Sequence, residues 1–347
     1  MKSRCIYFAV VISILSIAAI SQISAQQYLI KFATLAPDGS TWMNVMREYD
    51  QAVRKESGGR VGFKMYPGQI QGDEKDVLRK IRNGQLHSAG ITGNGLTEIA
   101  PKARILDSPF LFESYGEVDY VYQTFDKEFM QAFDQGGYVL LGWAEVGFVY
   151  VFTNTPVSKP ADMRGVKMWL WEGDPVAEVS FKALNINPVP LSITDVLTSL
   201  QTGLIDGVYT SPLAGVTLQW YTREKYMMEY PLADAAGAVI ISKKKFAEMP
   251  PDIQEILTRN GKTFMAKLTK LSREDNARAI EIMKKQGIKL VPPASKDVMS
   301  EFQRTGETAR QMLAAGRLKE KGFTPEFVKR VETAVQDYRK SHAKKGK

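Results

Sequence analysis

Strand and helix signals alternate from Gln26 to about Ser242, which predicts an α/β fold of two lobes braced by one long helix. Two further observations support that class: a nine-residue unit that occurs twice, and the loss of strand signals beyond Pro250. Tyr28-Leu29-Ile30-Lys31-Phe32-Ala33 reads as the first strand, and Asp38 to Ser40 cap a helix that runs to about Glu56. Arg60 to Tyr66 is the next strand and Asp73 to Arg82 the next helix, stopped by Asn83-Gly84 because those residues reach positive φ at little cost. Ser88 to Thr92 follows as a short buried strand. This order reads as βαβ units on a largely parallel sheet.

The helix and its stop recur. Asp76-Val77-Leu78-Arg79-Lys80-Ile81-Arg82-Asn83-Gly84 is echoed by Asp195-Val196-Leu197-Thr198-Ser199-Leu200-Gln201-Thr202-Gly203, and each copy leads into a strand. The copies lie too far apart for a solenoid and suit two lobes of similar plan. Gly137 to Trp143 and Phe148 to Thr153 read as consecutive strands, with a turn-rich boundary at Pro156 to Pro160. Ala236 to Ile241 is an apolar strand placed for a return crossing. Ile253, Ile256, Leu257, Phe264, Leu268 and Leu271 then recur at helical spacing, and the pattern runs to about Lys285. A helix of that length spans ~50 Å, more than one small lobe, so it reads as a strut across both. Glu301 to Ala314 and Pro325 to Ser341 complete a helical end. The expected organisation is 26–153 as lobe I with part of the C-terminal helices, 154–240 as lobe II, and 241–347 as the bridging helix and C-terminal segment.

Residues 1–25 read as a signal peptide. Lys2 and Arg4 open it, Ile6 to Ile20 is apolar, and Ile23-Ser24-Ala25 ends on small residues, so cleavage is expected near Ala25. The apolar run is shorter than the ~20 residues of a membrane span. The protein is therefore expected to be exported, to the periplasm. Of 347 residues, 44% are hydrophobic and 24% charged, which excludes a disordered or polytopic membrane chain. The single cysteine, Cys5, excludes a disulfide framework and a multi-cysteine zinc site. The net charge of +8 is dispersed, with runs only at Lys243 to Lys245 and in the tail Lys344-Lys345-Gly346-Lys347. No aromatic-interleaved basic stripe occurs, so no nucleic-acid partner is expected.

Catalytic patterns are sparse. His87 and His342 are the two histidines, and no Gly-rich phosphate loop, zinc motif or calcium loop is present, so no enzyme, cofactor or metal is expected. Gly72-Asp73-Glu74 and Glu172-Gly173-Asp174 carry acids at helix starts, where they complement the helix dipole. Helix N-termini beyond strand ends, in a cleft between lobes, suit capture of a small solute by closure, with the backbone change absorbed near Thr153 to Pro156 and Ala236 to Ile241.

Gly68-Gln69-Ile70-Gln71-Gly72, Pro109-Phe110-Leu111-Phe112, Thr153-Asn154, Arg164-Gly165-Val166-Lys167 and Leu204-Ile205-Asp206-Gly207 follow one another in an order that covers Tyr28 to Ala315. In them the chain resembles the solute-binding proteins of tripartite ATP-independent periplasmic (TRAP) transporters, the DctP type. The resemblance implies a two-lobed periplasmic-binding-protein-like fold with a long helix bracing both lobes, and delivery of a solute to a membrane permease. It also implies an arginine on the solute carboxylate where this chain has Trp169, and a second where it has Val149. The asparagine often found after the Asp-Gly pair gives way to Thr210-Ser211-Pro212.

An aromatic set stands in their place: Trp143, Phe148, Trp169, Trp171 and Tyr209, with Leu191 where relatives often carry Phe. The expected ligand contacts are this set together with Ser40, Gln69, Asn94 and Ser211, although several of the aromatics also suit a core role, Phe148 more than Trp171 and Trp169 least. The expected ligand is an organic acid held by backbone N–H groups and Ser40 or Asn94, or an aromatic or weakly polar compound. Replacing Trp169 by Ala is expected to weaken binding and spare the fold. An exported enzyme on the same scaffold, or a protein that presents solute to a membrane sensor, is the alternative.

Overall fold

The computed structural model describes residues 27–316 and 318–343. The expected signal peptide, its cleavage site, Cys5 and the Lys344 to Lys347 run lie outside the described residues.

The chain opens with strand β1 (Tyr28–Ala33), whose alternation sends Ile30 and Phe32 into one core and Ala33 into another. Helix α1 (Thr41–Glu56) starts where Ser40 accepts a hydrogen bond from the Met43 N–H. Strand β2 (Val61–Tyr66) pairs with β1 in parallel. Helix α2 (Glu74–Arg82) is capped by Asp73, and strand β3 (Ser88–Ile91) pairs with the other edge of β1, again in parallel. Helices α3 (Gly93–Ile99), α4 (Tyr115–Thr124) and α5 (Asp126–Gln135) pack one face of this sheet before strand β4 (Tyr138–Trp143).

The chain then leaves for a second sheet. Strand β5 (Gly147–Thr153) is followed by the short pair β6 (Trp169–Trp171) and β7 (Val189–Leu191), with helix α6 (Pro175–Ala183) between them. Helix α7 (Val196–Thr202) ends at Gly203 in the left-handed region (φ 72°), as α2 is followed by Gly84 (φ 73°). Strand β8 (Gly207–Thr210) follows, so each copy of the repeated unit forms helix, glycine and strand, one beside each sheet. Helix α8 (Pro212–Thr217) and strands β9 (Tyr226–Met228) and β10 (Ala233–Ala235) complete the excursion.

Strand β11 (Ala238–Ser242) returns between β3 and β4 and runs antiparallel to both, which completes the order β2-β1-β3-β11-β4. Its alternation matches the sheet: Ile240 enters the core under α3 to α5, and Val239 and Ile241 enter the one under α1. After the short helix α9 (Lys243–Ala247) comes α10 (Pro251–Lys285), the 35-residue helix expected from the sequence. Its Leu257, Met265 and Leu268 pack in the first lobe and its Met283 in the second, so it braces both. Strand β12 (Lys289–Val291) adds to β9 in parallel, and helices α11 (Lys296–Ala315) and α12 (Pro325–Ala343) close the chain.

Two details differ from the sequence reading. The second sheet is largely antiparallel, because β5 enters the lobe while β9 and β10 leave it along its edge. That outward and return pair forms one continuous ribbon: Ala144 N–H donates to Gly237 O (2.7 Å) and Val146 N–H to Ala235 O (2.9 Å), between the β4–β11 and β5–β10 ladders. The lobes therefore join at 144–147 and 235–238. Thr153 lies at the far end of β5, paired with Gly207 inside the second sheet, and β5 as a whole hydrogen-bonds there rather than with the first sheet.

The strut sits close to β4. A Cβ on Gly261 of α10 would lie 2.4 Å from the Leu141 carbonyl oxygen, and one on Gly142 would lie 2.7 Å from Met265. Gly261→Ala gains about 1 kcal/mol of helix propensity but overpacks this contact. The expected outcome in a denaturant melt is a net loss of about 1–3 kcal/mol.

Candidate functional site

Between the lobes lies a cavity of about 530 Å³. The first lobe contributes the loop after β1 from Thr34 to Trp42 and the turn after β3, the strand ends where open α/β sheets bind ligands. The second lobe contributes β6, α6 and the segment from Tyr209 to Trp220, while the ribbon strand β10 and the α10 residues Ser272, Asp275 and Ala279 complete the wall.

Aromatic surface dominates the second-lobe side. Trp169 and Tyr209 stack with ring centres 5.0 Å apart, and Trp220 meets Trp169 edge-on at 5.2 Å. The stack is fixed from behind: the Trp169 indole N–H donates to Leu191 O (3.0 Å), and the Trp171 backbone N–H donates to the Tyr209 hydroxyl oxygen (3.2 Å). Burial raises the Tyr209 pKa, so the phenol stays neutral. Trp169 is only 2% exposed and so bears fold as well as cavity. The expectation that Trp169→Ala spares the fold is therefore corrected: large-to-small replacement of a buried Trp costs about 3–5 kcal/mol.

Five of the ten sequence-predicted residues meet here: Ser40, Trp169, Trp171, Tyr209 and Ser211. Ser40 and Ser211 reach the wall as N-caps of α1 and α8, so their oxygens already accept backbone N–H groups. The other five lie elsewhere. Trp143 is packed edge-to-face on Phe129, Phe133 and Tyr122 inside the first lobe, and Phe148 stacks on Tyr115 at 4.5 Å. Asn94 is buried and donates to Glu172 O (3.3 Å), and Leu191 supports Trp169 through its carbonyl. Gln69 sits in the turn after β2 at φ 68°, outside the wall. Val149 does line the cavity, as an apolar surface.

The sequence reading missed the charged centre. Arg104, 2% exposed, follows α3 in the first lobe, and Asp174 caps α6 in the second. The Arg104 Nη2 donates to both Asp174 oxygens at 2.9 Å, Nε pairs with Asp107 at 2.7 Å, and Nη1 donates to Thr97 Oγ1 at 2.6 Å and to Gly93 O. Burial opposes the charge, but Asp174 and Asp107 outweigh it and hold the Arg104 pKa above its ordinary value. Burial also lifts Asp107 to about 6, against the pull of Arg104. The partners are 70 residues apart in sequence, so no local pattern announces the pair; Arg104 between Ala103 and Ile105 was the one available hint of a buried charge.

The same rim carries further contacts between lobes. The Asp73 carboxylate accepts from the Trp171 indole N–H (3.0 Å) and the Ser192 hydroxyl (2.8 Å), and Lys75 Nζ donates to Glu172 O (3.0 Å). The acids at the two helix starts thus do more than complement dipoles: they latch the lobes together. Glu74, also at the wall, accepts from the Thr92 N–H and hydroxyl and from the Gly95 N–H, yet burial lifts its pKa to about 7.

A cavity between two ribbon-joined α/β lobes, walled mainly by apolar and aromatic side chains around one buried charged centre, defines a solute-binding receptor. The chain belongs to the bacterial extracellular solute-binding protein family 7, DctP, whose profile it matches over residues 32–341. It is 24% identical over 308 residues to the 2,3-diketo-L-gulonate-binding periplasmic protein YiaO of Escherichia coli, covering 87% of this chain and 92% of that protein. Identity to the C4-dicarboxylate-binding periplasmic protein DctP of Rhodobacter capsulatus is 25% over 279 residues, 79% of this chain and 82% of that one. The fold matches the crystal structure of a TRAP periplasmic solute-binding protein from Desulfovibrio salexigens with bound orotic acid, at TM-score 0.81 and 18% identity, over 89% of this chain and 99% of that chain.

Glu74 gives a pH test. Its folded pKa lies above its ordinary value of 4.5, so its contribution to stability is whole below about pH 4.5 and is lost as pH climbs to about 7. Measured by urea melts, the stability of the native protein relative to Glu74→Gln should fall by up to about 3 kcal/mol across that window; a flat difference would contradict the assignment.

Proposed function

We propose that the chain is an exported receptor that captures a small organic solute in the periplasm by lobe closure and hands it to the membrane permease of a TRAP transporter, without transforming it. Family membership supports the receptor role, and the names of its relatives support the compartment and the transporter. The named solutes of those relatives are acids; the wall of this cavity supports a different preference. Trp169, Trp171 and Tyr209 line the cavity where the family resemblance implies an arginine, and Val149 lines it at the second such place.

The solute is an aromatic, apolar or weakly polar compound held against the Trp169–Tyr209 stack. Aromatic contact supplies about 0.5–1.5 kcal/mol beyond the apolar area it buries. The single observation that carries this reading is the stack, because it is pinned from behind and lines the cavity. Closure would exclude water from that face and let the ribbon at 144–147 and 235–238 take up the change in angle.

Intrinsic tryptophan fluorescence reads this directly, since the solute would contact Trp169. Titration of the native protein with dicarboxylates, 2-oxo acids and aromatic compounds should show saturable quenching by aromatic members. Trp169→Phe, which keeps an aromatic ring in the stack but loses the bond to Leu191 O, should weaken that binding about tenfold, ~1.4 kcal/mol, with folding checked by circular dichroism. Micromolar binding of succinate-like diacids without any aromatic ligand would overturn the reading, and conversion of a bound compound, seen by mass spectrometry after denaturation, would make the protein an enzyme.

A further inference from the structure

The Arg104–Asp174 pair occupies a place where a solute could supply the counter-ion. The guanidinium comes from one lobe and the carboxylate from the other, and both line the cavity. Asp174 is 4% exposed, and its two oxygens lie equally at 2.9 Å from Nη2, on the arginine edge left free by Asp107 and Gly93. The fit is tight: a Cβ on Gly93 would come within 3.1 Å of Nη1 and 3.3 Å of Asp174 Oδ2. The other cationic side chain of the wall, among the described residues, is Arg278, which is paired with Asp275.

From this arrangement we infer that Asp174 is a built-in surrogate for a solute carboxylate: it saturates Arg104 from across the cleft and thereby makes the receptor selective for solutes that lack a free carboxylate. An entering carboxylate meets no unpaired guanidinium, and it meets Asp107, Asp174 and Glu74 in the same wall. A neutral amide, alcohol or arene brings no charge that needs desolvation, and an apolar wall accepts it. Closure likewise needs no anion from the solute, because the ion pair between lobes is made by the protein itself. The inference deepens the receptor reading, on which its biological meaning rests, but its decisive test does not use the natural solute.

Asp174→Ser empties the carboxylate-sized space beside Arg104 while keeping a good N-cap on α6. Acetate should then fill the gap. In thermal melts at constant ionic strength and pH 7, acetate should raise the melting temperature of Asp174→Ser and leave the native protein and Asp174→Asn, which keeps the space filled, unmoved. Adding Arg104→Gln to Asp174→Ser should abolish the acetate effect. A folded Asp174→Ser protein that acetate does not stabilise would overturn the inference, as would stabilisation that survives in the double variant.

Matched acid and amide probes give an arm independent of any variant. Titrated with benzoate against benzamide, and phenylacetate against phenylacetamide, the native protein should favour the amide at least tenfold; a tenfold preference for either acid would overturn the inference even if Asp174→Ser does not fold. Failure of the native protein to bind either member of any pair would count against the receptor reading of the solute class, while acetate rescue of Asp174→Ser would still uphold the surrogate role.

Discussion

A guanidinium buried between two lobes has to be neutralised where it lies, because removing one partner from such a pair costs about 3–5 kcal/mol. Arg104 meets that demand with acids of its own chain, Asp107 from the same lobe and Asp174 from the opposite one. Much of the site follows from this. The charge is spent internally, and beside it the second lobe sets the Trp169–Tyr209 stack into the wall. The ion pair also ties the lobes, alongside the Asp73 contacts to Trp171 and Ser192. Selectivity and closure thus draw on the same side chains.

The fold places those side chains through a small set of crossings between lobes. The two-stranded ribbon and α10 make three of them and border the cavity, and α11 makes a fourth, with Phe302 in the second-lobe core and Leu313 and Ala314 in the first-lobe core. The ribbon is hydrogen-bonded along its length, so it bends as a unit and keeps the register between sheets. The strut stays against the first lobe through the close approach at Gly261 and Gly142 and reaches the second through Met283. A change in lobe angle is therefore felt at β10, at the α10 wall and at the rim latch together.

Long, capped and periodic elements were legible in the sequence. Ser40 and the apolar spacing after it define α1, and the spacing from Ile253 onward defines a helix whose length alone required it to span both lobes. The repeated unit was legible too, down to its left-handed glycines. Three-residue strands such as 226–228 and 233–235 were not, since they are too short to show a period and exist through pairing with β5. The parallel expectation failed for the second sheet because an outward and a return strand at one junction must run in opposite directions.

The site was half legible for a related reason. Trp169, Trp171 and Tyr209 lie at the wall, whereas Trp143 and Phe148 fall in the first-lobe core. β5 is apolar on both faces, so no alternation tells Phe148 from Val149, although one faces the core and the other the cavity. Arg104 and Asp174 escaped notice because they lie 70 residues apart and meet from opposite lobes. The most direct test is a crystal structure of the protein purified from its export compartment with whatever solute it retains. The solute should lie against the Trp169–Tyr209 stack with the Asp174 carboxylate still on Arg104; a solute carboxylate seated on Arg104, with Asp174 turned away, would contradict the account.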